Sequence, residues 1–254
     1  MYVWFDALTN YISTLGWPED ADGNFKKFWV DGETLQLAGK DQVRFQSIMW
    51  QAMLMSAQLP TTQKVMYHGF ITSGGQKMSK SIGNVIDPLE IQKEYGTDAL
   101  RYFLARHVHP FDDSDVTMEK FKEAYHADLA HGLGNLAARI MTLAEKHLPA
   151  AIAKPEKSTL PKEYTEAIER FEFHKALEYA WQRIAALDQK ITETAPFKVV
   201  KENPEAGRVL IAECATELYK IAWLLHVFMP ETNAAIKAAI LANKKPANLF
   251  PRKE

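Results

Sequence analysis

Hydrophobic positions change their spacing once along this chain. In the first part, short apolar runs at Tyr2–Phe5, Leu35–Ala38 and Lys64–Ile71 read as strands, the last of them broken by His68-Gly69. Between the second and third runs lies Val43–Gln58, where Phe45, Ile48, Met49, Ala52 and Met55 recur at helix spacing. Strand, helix and strand in that order predict a parallel βαβ unit. Ligands of such sheets sit beyond the carboxyl ends of the strands, where Gly39-Lys40-Asp41 and His68-Gly69 fall. Gly39 lets a nucleotide approach the backbone, and Asp41 can accept from ribose hydroxyls; the same three residues also read as an ordinary strand-to-helix turn with an Asp N-cap.

Further along, Asp87-Pro88-Leu89-Glu90 is a helix start: Asp87 caps, Pro88 fits the first helical position, and Glu90 is placed for a capping box. Gly96 ends that helix, and Thr97 is expected to cap the next, with Leu100, Phe103 and Leu104 facing inward. Pro110–Asp115 is polar and acidic and reads as a boundary. From Thr117 the pattern becomes all-helical. Phe121, Tyr125, Leu129, Leu133, Leu136, Ile140 and Leu143 form one stripe, and Ile168, Phe171, Leu177, Trp181, Ile184, Leu187 and Ile191 a second. Val209, Ala212, Ala215, Leu218, Ala222 and Leu225 form a third. Pro149–Pro161 and Pro196–Pro204 are expected linkers, and Glu231–Leu241 a last short helix before Leu249-Phe250-Pro251-Arg252. The expected class is α/β plus all-α, with an α/β part over 1–116 and a helical bundle over 117–254.

Composition narrows the picture. A chain of 254 residues with 47% apolar content can bury a real core and is expected to hold two domains. The single cysteine, Cys214, excludes a disulfide framework and a Cys-rich zinc site. A net charge of −2 gives no overall basic field, so a nucleic-acid partner would be read through a local surface. The opening Met1-Tyr2-Val3-Trp4 shows no charged leader, and no run approaches membrane-spanning length; a soluble, cytoplasmic protein with no membrane partner is expected.

The most chemically loaded segment is Lys77-Met78-Ser79-Lys80-Ser81, set between Gly74-Gly75 and Gly83-Asn84. Its lysines can close over a polyphosphate and its hydroxyls can donate to phosphate oxygens. Alone, it also reads as a solvated Lys/Ser loop. The string is a signature of class I aminoacyl-tRNA synthetases, and its neighbours appear in the same order: Gly39-Lys40-Asp41, His68-Gly69-Phe70, then Tyr95-Gly96-Thr97-Asp98-Ala99-Leu100-Arg101-Tyr102. Together they resemble the methionyl-tRNA synthetase family.

That resemblance implies the second half of a parallel Rossmann-type sheet bearing the signature loop, followed by an anticodon-binding bundle. It implies attachment of methionine to its tRNA through methionyl-adenylate, with ATP and Mg. Activation needs no protein base, because the methionine carboxylate attacks the α-phosphate; the protein positions both reactants and absorbs charge as pyrophosphate leaves. Lys80 would be the catalytic lysine closest to the phosphates and Lys77 its auxiliary. The ATP site would comprise Gly39, Asp41, His68, Gly69 and Ile71 with Lys77, Met78, Ser79, Lys80 and Ser81. Trp4 and Tyr11 match positions that enclose the thioether, where sulfur against aromatic rings suits the ligand; without the resemblance both read as core aromatics. Leu8, Gln42 and Gln46 complete this methionine wall. There the family commonly has Pro, Ile and His, and two glutamines beside an apolar pocket need partners.

In the helical part, His131-Gly132-Leu133-Gly134-Asn135-Leu136-Ala137-Ala138-Arg139 resembles the first helix of the family's anticodon-binding domain. Asn135 and Arg139 are four apart and share a face, which Asp128, His131 and Thr142 extend. Such side chains read unstacked base edges, although the bland reading is a solvated polar face. Phe197, after Ala195-Pro196, falls where the family has a Trp that stacks on an anticodon base.

The family's other signature, His-Ile-Gly-His, is absent. The resemblance places it before Met1, together with a zinc-bearing insertion, so no zinc or other metal site is expected in this portion. The expected partners are methionine tRNA, methionine, ATP and an amino-terminal catalytic half. The competing function is a noncatalytic tRNA-binding module, or a half-enzyme needing a separate amino-terminal chain. A related synthetase for leucine, isoleucine, valine or cysteine is disfavoured by Trp4, Tyr11 and the Asn135–Arg139 helix.

Overall fold

The computed structural model describes every residue except Met1, Tyr2, Ala21, Lys80, Lys157, Ser158 and Glu254. It comprises two compact units: residues 1–70 with 111–114, and residues 71–110 with 115–254. The expected strand Tyr2–Phe5 is not one. Tyr2 lies outside the described residues, and Val3 opens helix α1 (Val3–Ser13). The reason is visible in exposure: Val3 and Phe5 face solvent at 68% and 57%, whereas Leu8 and Ile12, one helical turn apart, are buried.

The βαβ unit is present. Strand β1 (Leu35–Gly39) pairs in parallel with β2 (Lys64–His68), with Gly39 opposite His68 in register. The crossover runs through a 3₁₀ turn at Lys40–Gln42, a π-helical stretch at Arg44–Met49 and helix α2 (Trp50–Ser56). The π stretch corrects the expected face. Bonding from i to i+5, as in Trp50 N–H to the Phe45 carbonyl, widens the turn and shifts the helical phase. Gln46, Trp50 and Leu54 therefore face the core, while Ile48 and Met55 are exposed. Leu8, Ile12, Phe25, Trp29, Trp50 and Leu54 make the core of this unit.

In the second unit, β3 (Ile71–Ser73) and β4 (Gln76–Lys77) form an antiparallel hairpin, and Val116 N–H bonds the Thr72 carbonyl. Helix α3 (Pro88–Tyr95) begins as expected: Asp87 accepts from Leu89 N–H at 2.8 Å, and Pro88 is its first residue. Gly96, at φ 88°, both ends α3 and precedes α4 (Thr97–His107), so Thr97 is the first helical residue rather than the cap. Its hydroxyl instead accepts from Gln92 Nε2 at 3.0 Å. Ala99, Tyr102 and Phe103 turn inward, while Leu104 is exposed. Arg101 donates to the carbonyls of Phe228 and Val227 at 2.8 Å each, and the buried Asp98 accepts from Thr232 N–H at 2.6 Å. The block around Arg101 is thus a clamp on the end of the bundle.

The bundle follows from the apolar stripes. Thr117 caps α5 (Met118–Ala124), a π-helical stretch continues through Tyr125–Gly134, and α6 spans Asn135–His147. Phe121, Tyr125, Leu129, Leu133, Leu136 and Ile140 are all buried, each such Leu or Ile contributing about 1.5–3 kcal/mol. Helices α7 (Lys162–Glu169) and α8 (Phe173–Thr194) follow. The expected linker at Pro196–Pro204 is instead mostly a short helix, α9 (Pro196–Glu202), because Pro196 sits at a first helical position that needs no N–H donor. Next come α10 (Pro204–Leu224) and α11 (Pro230–Ala242). Gly207 admits Val200 so closely that a Cβ there would meet its Cα at 2.3 Å, while Val209 is exposed rather than part of the buried stripe.

Candidate functional site

At the carboxyl ends of β1 and β2, the structure brings Gly39, Asp41 and His68 together. A Cβ on Gly39 would lie 2.7 Å from Asp41 Oδ1 and 3.8 Å from His68 Cε1, so only glycine leaves that carboxylate its place. Gln42 Nε2 donates to Asp41 Oδ2 at 3.2 Å, and His68 Nδ1 lies 2.9 Å from the Gly69 carbonyl. Gly69 is buried against Asp112: a Cβ would meet that residue's carbonyl at 2.2 Å. Lys40, inside the Gly39–Asp41 motif, and Asp113, in the acidic 110–115 stretch, gain a supporting role only through the fold. Lys40 Nζ pairs with Asp113 at 2.6 Å and sits 4.8 Å from the centre of the Phe70 ring. Asp113 also accepts from Phe70 N–H at 2.8 Å, and the bonds from Lys40 and Phe70 hold its carboxyl below the usual range.

The five residues expected to form a methionine wall lie on α1 and on the helical crossover. Trp4 stacks on Phe45 with ring centroids 4.3 Å apart. Tyr11 is 37% exposed, lies 5.8 Å from the Trp50 ring, and accepts from Gln46 Nε2 at 2.8 Å. Leu8 is packed in the core. The carbonyl oxygens of Gln42 and Gln46 are both buried without a partner, as is Trp50 Nε1. The glutamines have thus found one partner each and keep one buried acceptor each. A separate apolar groove of about 630 Å³ lies between α1 and α2, lined by Phe5, Trp17, Met53 and Leu59; none of the named wall residues lines it.

Ile71 is the first residue of β3, in the second unit, and is 39% exposed. The Lys/Ser segment there begins in the β3–β4 hairpin, and Lys80 lies outside the described residues. Gly74 and Gly75 turn at φ 64° and 73°, a region that side chains rarely adopt. Asp115 fastens the turn, accepting from Gly75 N–H at 2.7 Å, Thr72 Oγ1 at 3.2 Å and Lys120 Nζ at 2.9 Å. The Gly75 bond, then Lys120, hold its carboxyl below its ordinary value. Asn84 accepts from Ser79 N–H at 2.8 Å and donates to the carbonyls of Ser73 and Lys77 at 3.3 Å. Ser79 and Ser81 hydroxyls are 2.7 Å apart, Lys77 is exposed, and Met78 packs against the helical core.

On the bundle, Asn135 is the exposed first residue of α6, and Arg139, one turn on, pairs with Asp188 of α8 at 2.6 Å. Asp188 sits roughly 9 Å of helix before Thr194, at about 1.5 Å per residue. There Ala195, at φ 41°, turns the chain into α9 and sets out Phe197, 41% exposed. His131 and Thr142 are exposed as expected, but Asp128 does not belong to that face. It accepts from Tyr102 Oη at 2.5 Å and pairs with His107 at 3.4 Å and Arg106 at 3.6 Å. Burial pushes its carboxyl up, but the bonds from His107 and Tyr102, with the Arg106 charge, outweigh this and leave it lowered. Burial drives the Tyr102 phenol well above its usual value. Among the described residues, no three or more His, Cys, Asp or Glu side chains converge as a metal site, and no helix is long and apolar enough to cross a membrane.

Comparison with known proteins adds to this geometry. Residues 1–141 match the family model described as tRNA synthetases class I (M). The chain is 38% identical to the methionine--tRNA ligase of Caldanaerobacter subterraneus subsp. tengcongensis, covering 91% of this chain and 38% of that one. It is 36% identical to the Fusobacterium nucleatum methionine--tRNA ligase, covering 98% and 41%. Among solved structures, the Mycobacterium tuberculosis methionyl-tRNA synthetase bound by methionyl-adenylate superposes with a TM-score of 0.83 at 28% identity, covering 100% of this chain and 55% of that one. The apo form of that enzyme gives 0.81 at 27% identity, covering 100% and 56%. The chain thus spans less than half the length of the curated relatives it matches.

Proposed function

This chain belongs to the tRNA synthetases class I (M), and from that premise we propose that it supplies the carboxyl-terminal part of a cytoplasmic methionine--tRNA ligase. Residues 1–116 would be the second part of the Rossmann-type catalytic domain and 117–254 the anticodon-binding bundle. The supporting observation is the Lys/Ser segment, a hydroxyl-rich turn held at its base by Asp115 and Asn84. It leaves Lys77 exposed in a segment hinged on Gly74 and Gly75.

In this reading methionine and ATP give methionyl-adenylate, and the methionyl group then passes to the terminal ribose of its tRNA. Lys77 and Lys80 stabilise charge that grows as pyrophosphate leaves, so they act more on the transition state than on the bound substrates. Ser79 and Ser81 donate to phosphate oxygens, and the backbone around Met78 carries them. Gly39 and Asp41 take the adenosine, with His68, Gly69 and Ile71 on the adenine side. Magnesium arrives on the ATP phosphates, as is usual for this ion. Trp4, Tyr11, Leu8, Gln42 and Gln46 form the methionine wall. Gln46 Nε2, which can only donate, occupies a lone pair of the Tyr11 oxygen and leaves its proton for the thioether sulfur. The remaining half of the site belongs to an amino-terminal partner portion.

On the bundle, Asn135 and Arg139 read base edges of the CAU anticodon and Phe197 offers a stacking surface. Competition binding of the chain with anticodon variants of methionine tRNA tests this. CAU should win, and Phe197→Ala should remove about 1–3 kcal/mol of binding. Phe197→Trp should be neutral or better. Equal affinity for CAU and a scrambled anticodon would end the anticodon reading.

A further inference from the structure

A groove of about 780 Å³ opens between the start of α6 and the tail that follows α11. His131, Asn135 and Ala138 line one wall, and Lys245, Asn248 and Arg252 the other. The tail wall is built rather than draped. Asn243 turns the chain at φ 47° and donates from Nδ2 to the Leu148 carbonyl at 3.3 Å. Lys245 N–H bonds Glu145 Oε2 at 3.0 Å, and Tyr125 Oη donates to the Pro251 carbonyl at 2.8 Å. Phe250 is buried beside Gly134, where a Cβ would lie 3.4 Å from its ring and 2.9 Å from the Leu129 carbonyl.

Charge distinguishes this groove from its surroundings. Its lining holds two cations and no carboxylate, in a chain whose net charge is −2. Among the described residues, neither Lys245 Nζ nor the Arg252 guanidinium makes an ion pair, so both charges stay open to an anion in the groove. Glu145, the carboxylate on that side, is engaged by the Lys245 backbone rather than its ammonium. Unpaired cations interleaved with two amides and an imidazole match a sugar-phosphate strand, which offers anionic oxygens and hydroxyls at every step.

We propose that this groove holds the RNA backbone flanking the bases read at Asn135, with Lys245 and Arg252 on phosphates and Asn248 and His131 on phosphate or ribose oxygens. It rests on the anticodon reading above and adds a division of labour. Phosphates are the same in every sequence, so the groove supplies affinity and salt dependence, while Asn135 and Arg139 supply discrimination.

The test is binding of the full chain to anticodon stem-loop RNAs carrying CAU or a scrambled anticodon, across a salt series. Losing one phosphate contact on a single strand lowers the salt slope by about 0.7, which at ~0.15 M salt is about fourfold in affinity. Lys245→Ala and Arg252→Ala should each show that loss equally on both RNAs, leaving the CAU preference intact. Arg252→Lys should restore much of it, and Lys162→Ala, on the exposed face of α7, should change nothing. Melting curves confirm that each variant is folded. Unchanged slope and affinity in folded Lys245 and Arg252 variants overturns the proposal, whatever the wild type prefers. A wild type that does not distinguish the RNAs, yet loses slope in these variants, fails the anticodon reading and upholds the groove as an RNA contact.

Discussion

Replacing Arg139 and Asp188 one at a time separates base reading from helix pinning on the candidate anticodon face. Their single bond, Arg139 Nη1 to Asp188 Oδ1 at 2.6 Å, joins side chains 38% and 50% exposed. A pair so open to solvent contributes about 0–1 kcal/mol to stability, so neither substitution should lower the melting temperature much. A guanidinium carries five N–H donors and Asp188 uses one of them, holding the fork in place and leaving the rest for base edges. Arg139→Ala should therefore cost about 1–3 kcal/mol of discrimination, roughly 5- to 150-fold in the ratio of CAU to scrambled affinity. Asp188→Asn keeps an acceptor oxygen and removes a negative charge from the face proposed to meet RNA. It should keep the CAU preference, with affinity equal or higher. Fluorescence anisotropy of labelled stem-loops, run in competition, measures both ratios. If Arg139→Ala weakens every RNA alike and leaves the ratio of CAU to scrambled affinity unchanged, the base-reading argument is refuted.

Gly69→Ala places a methyl 2.2 Å from the Asp112 carbonyl and 2.6 Å from Asp113 N, so residues 111–114 must shift. We expect about 1–3 kcal/mol of destabilisation, read by denaturant titration, and an unchanged midpoint would contradict the close approach. His174 should make stability fall in mild acid. Burial first, then the His109 and Lys175 charges, lower its pKa in the fold, and its Nδ1 is buried without a partner. With the folded value below the unfolded one, its contribution is complete above about pH 6.5 and lost as pH falls through that region. His174→Phe should flatten the melting-temperature profile between about pH 8 and 5, whereas a profile as steep as the wild type's would refute the assignment.

What the sequence disclosed depended on whether local rules and tertiary packing agreed. The stripe from Phe121 to Ile140 was legible because those positions carry the bundle core, and the Asp87-Pro88 helix start because capping is local. Val43–Gln58 was legible as a helix but not in its facing, since a π stretch shifts the phase that periodicity assumes at 3.6 residues per turn. The opening apolar run at Tyr2–Phe5 matches a strand in length, and only its continuation to Leu8 and Ile12 marks the helix that opens at Val3. Asp113, Asp115 and Asn84 looked like ordinary polar residues. Asp113 and Asp115 act on the Phe70 and Gly75 N–H groups 43 and 40 positions away, a pairing no short window contains, while Asn84 reaches Ser79 N–H only once the turn between them has formed. Asp128 is drawn away from the Asn135 face in the same way, by Tyr102, Arg106 and His107 on another helix.

Methionine-dependent exchange of pyrophosphate into ATP tests the central claim most directly. It should be measured on the purified chain alone, on the chain joined by the amino-terminal portion of a matching ligase, and on the joined form carrying Lys80→Ala. The account predicts no enzyme-like exchange from the chain alone and robust, methionine-specific exchange from the joined form. Lys80→Ala should then lower the rate by about 10²–10³ with little change in methionine binding. Robust exchange by the chain alone, or an unchanged rate in the Lys80 variant, would contradict it.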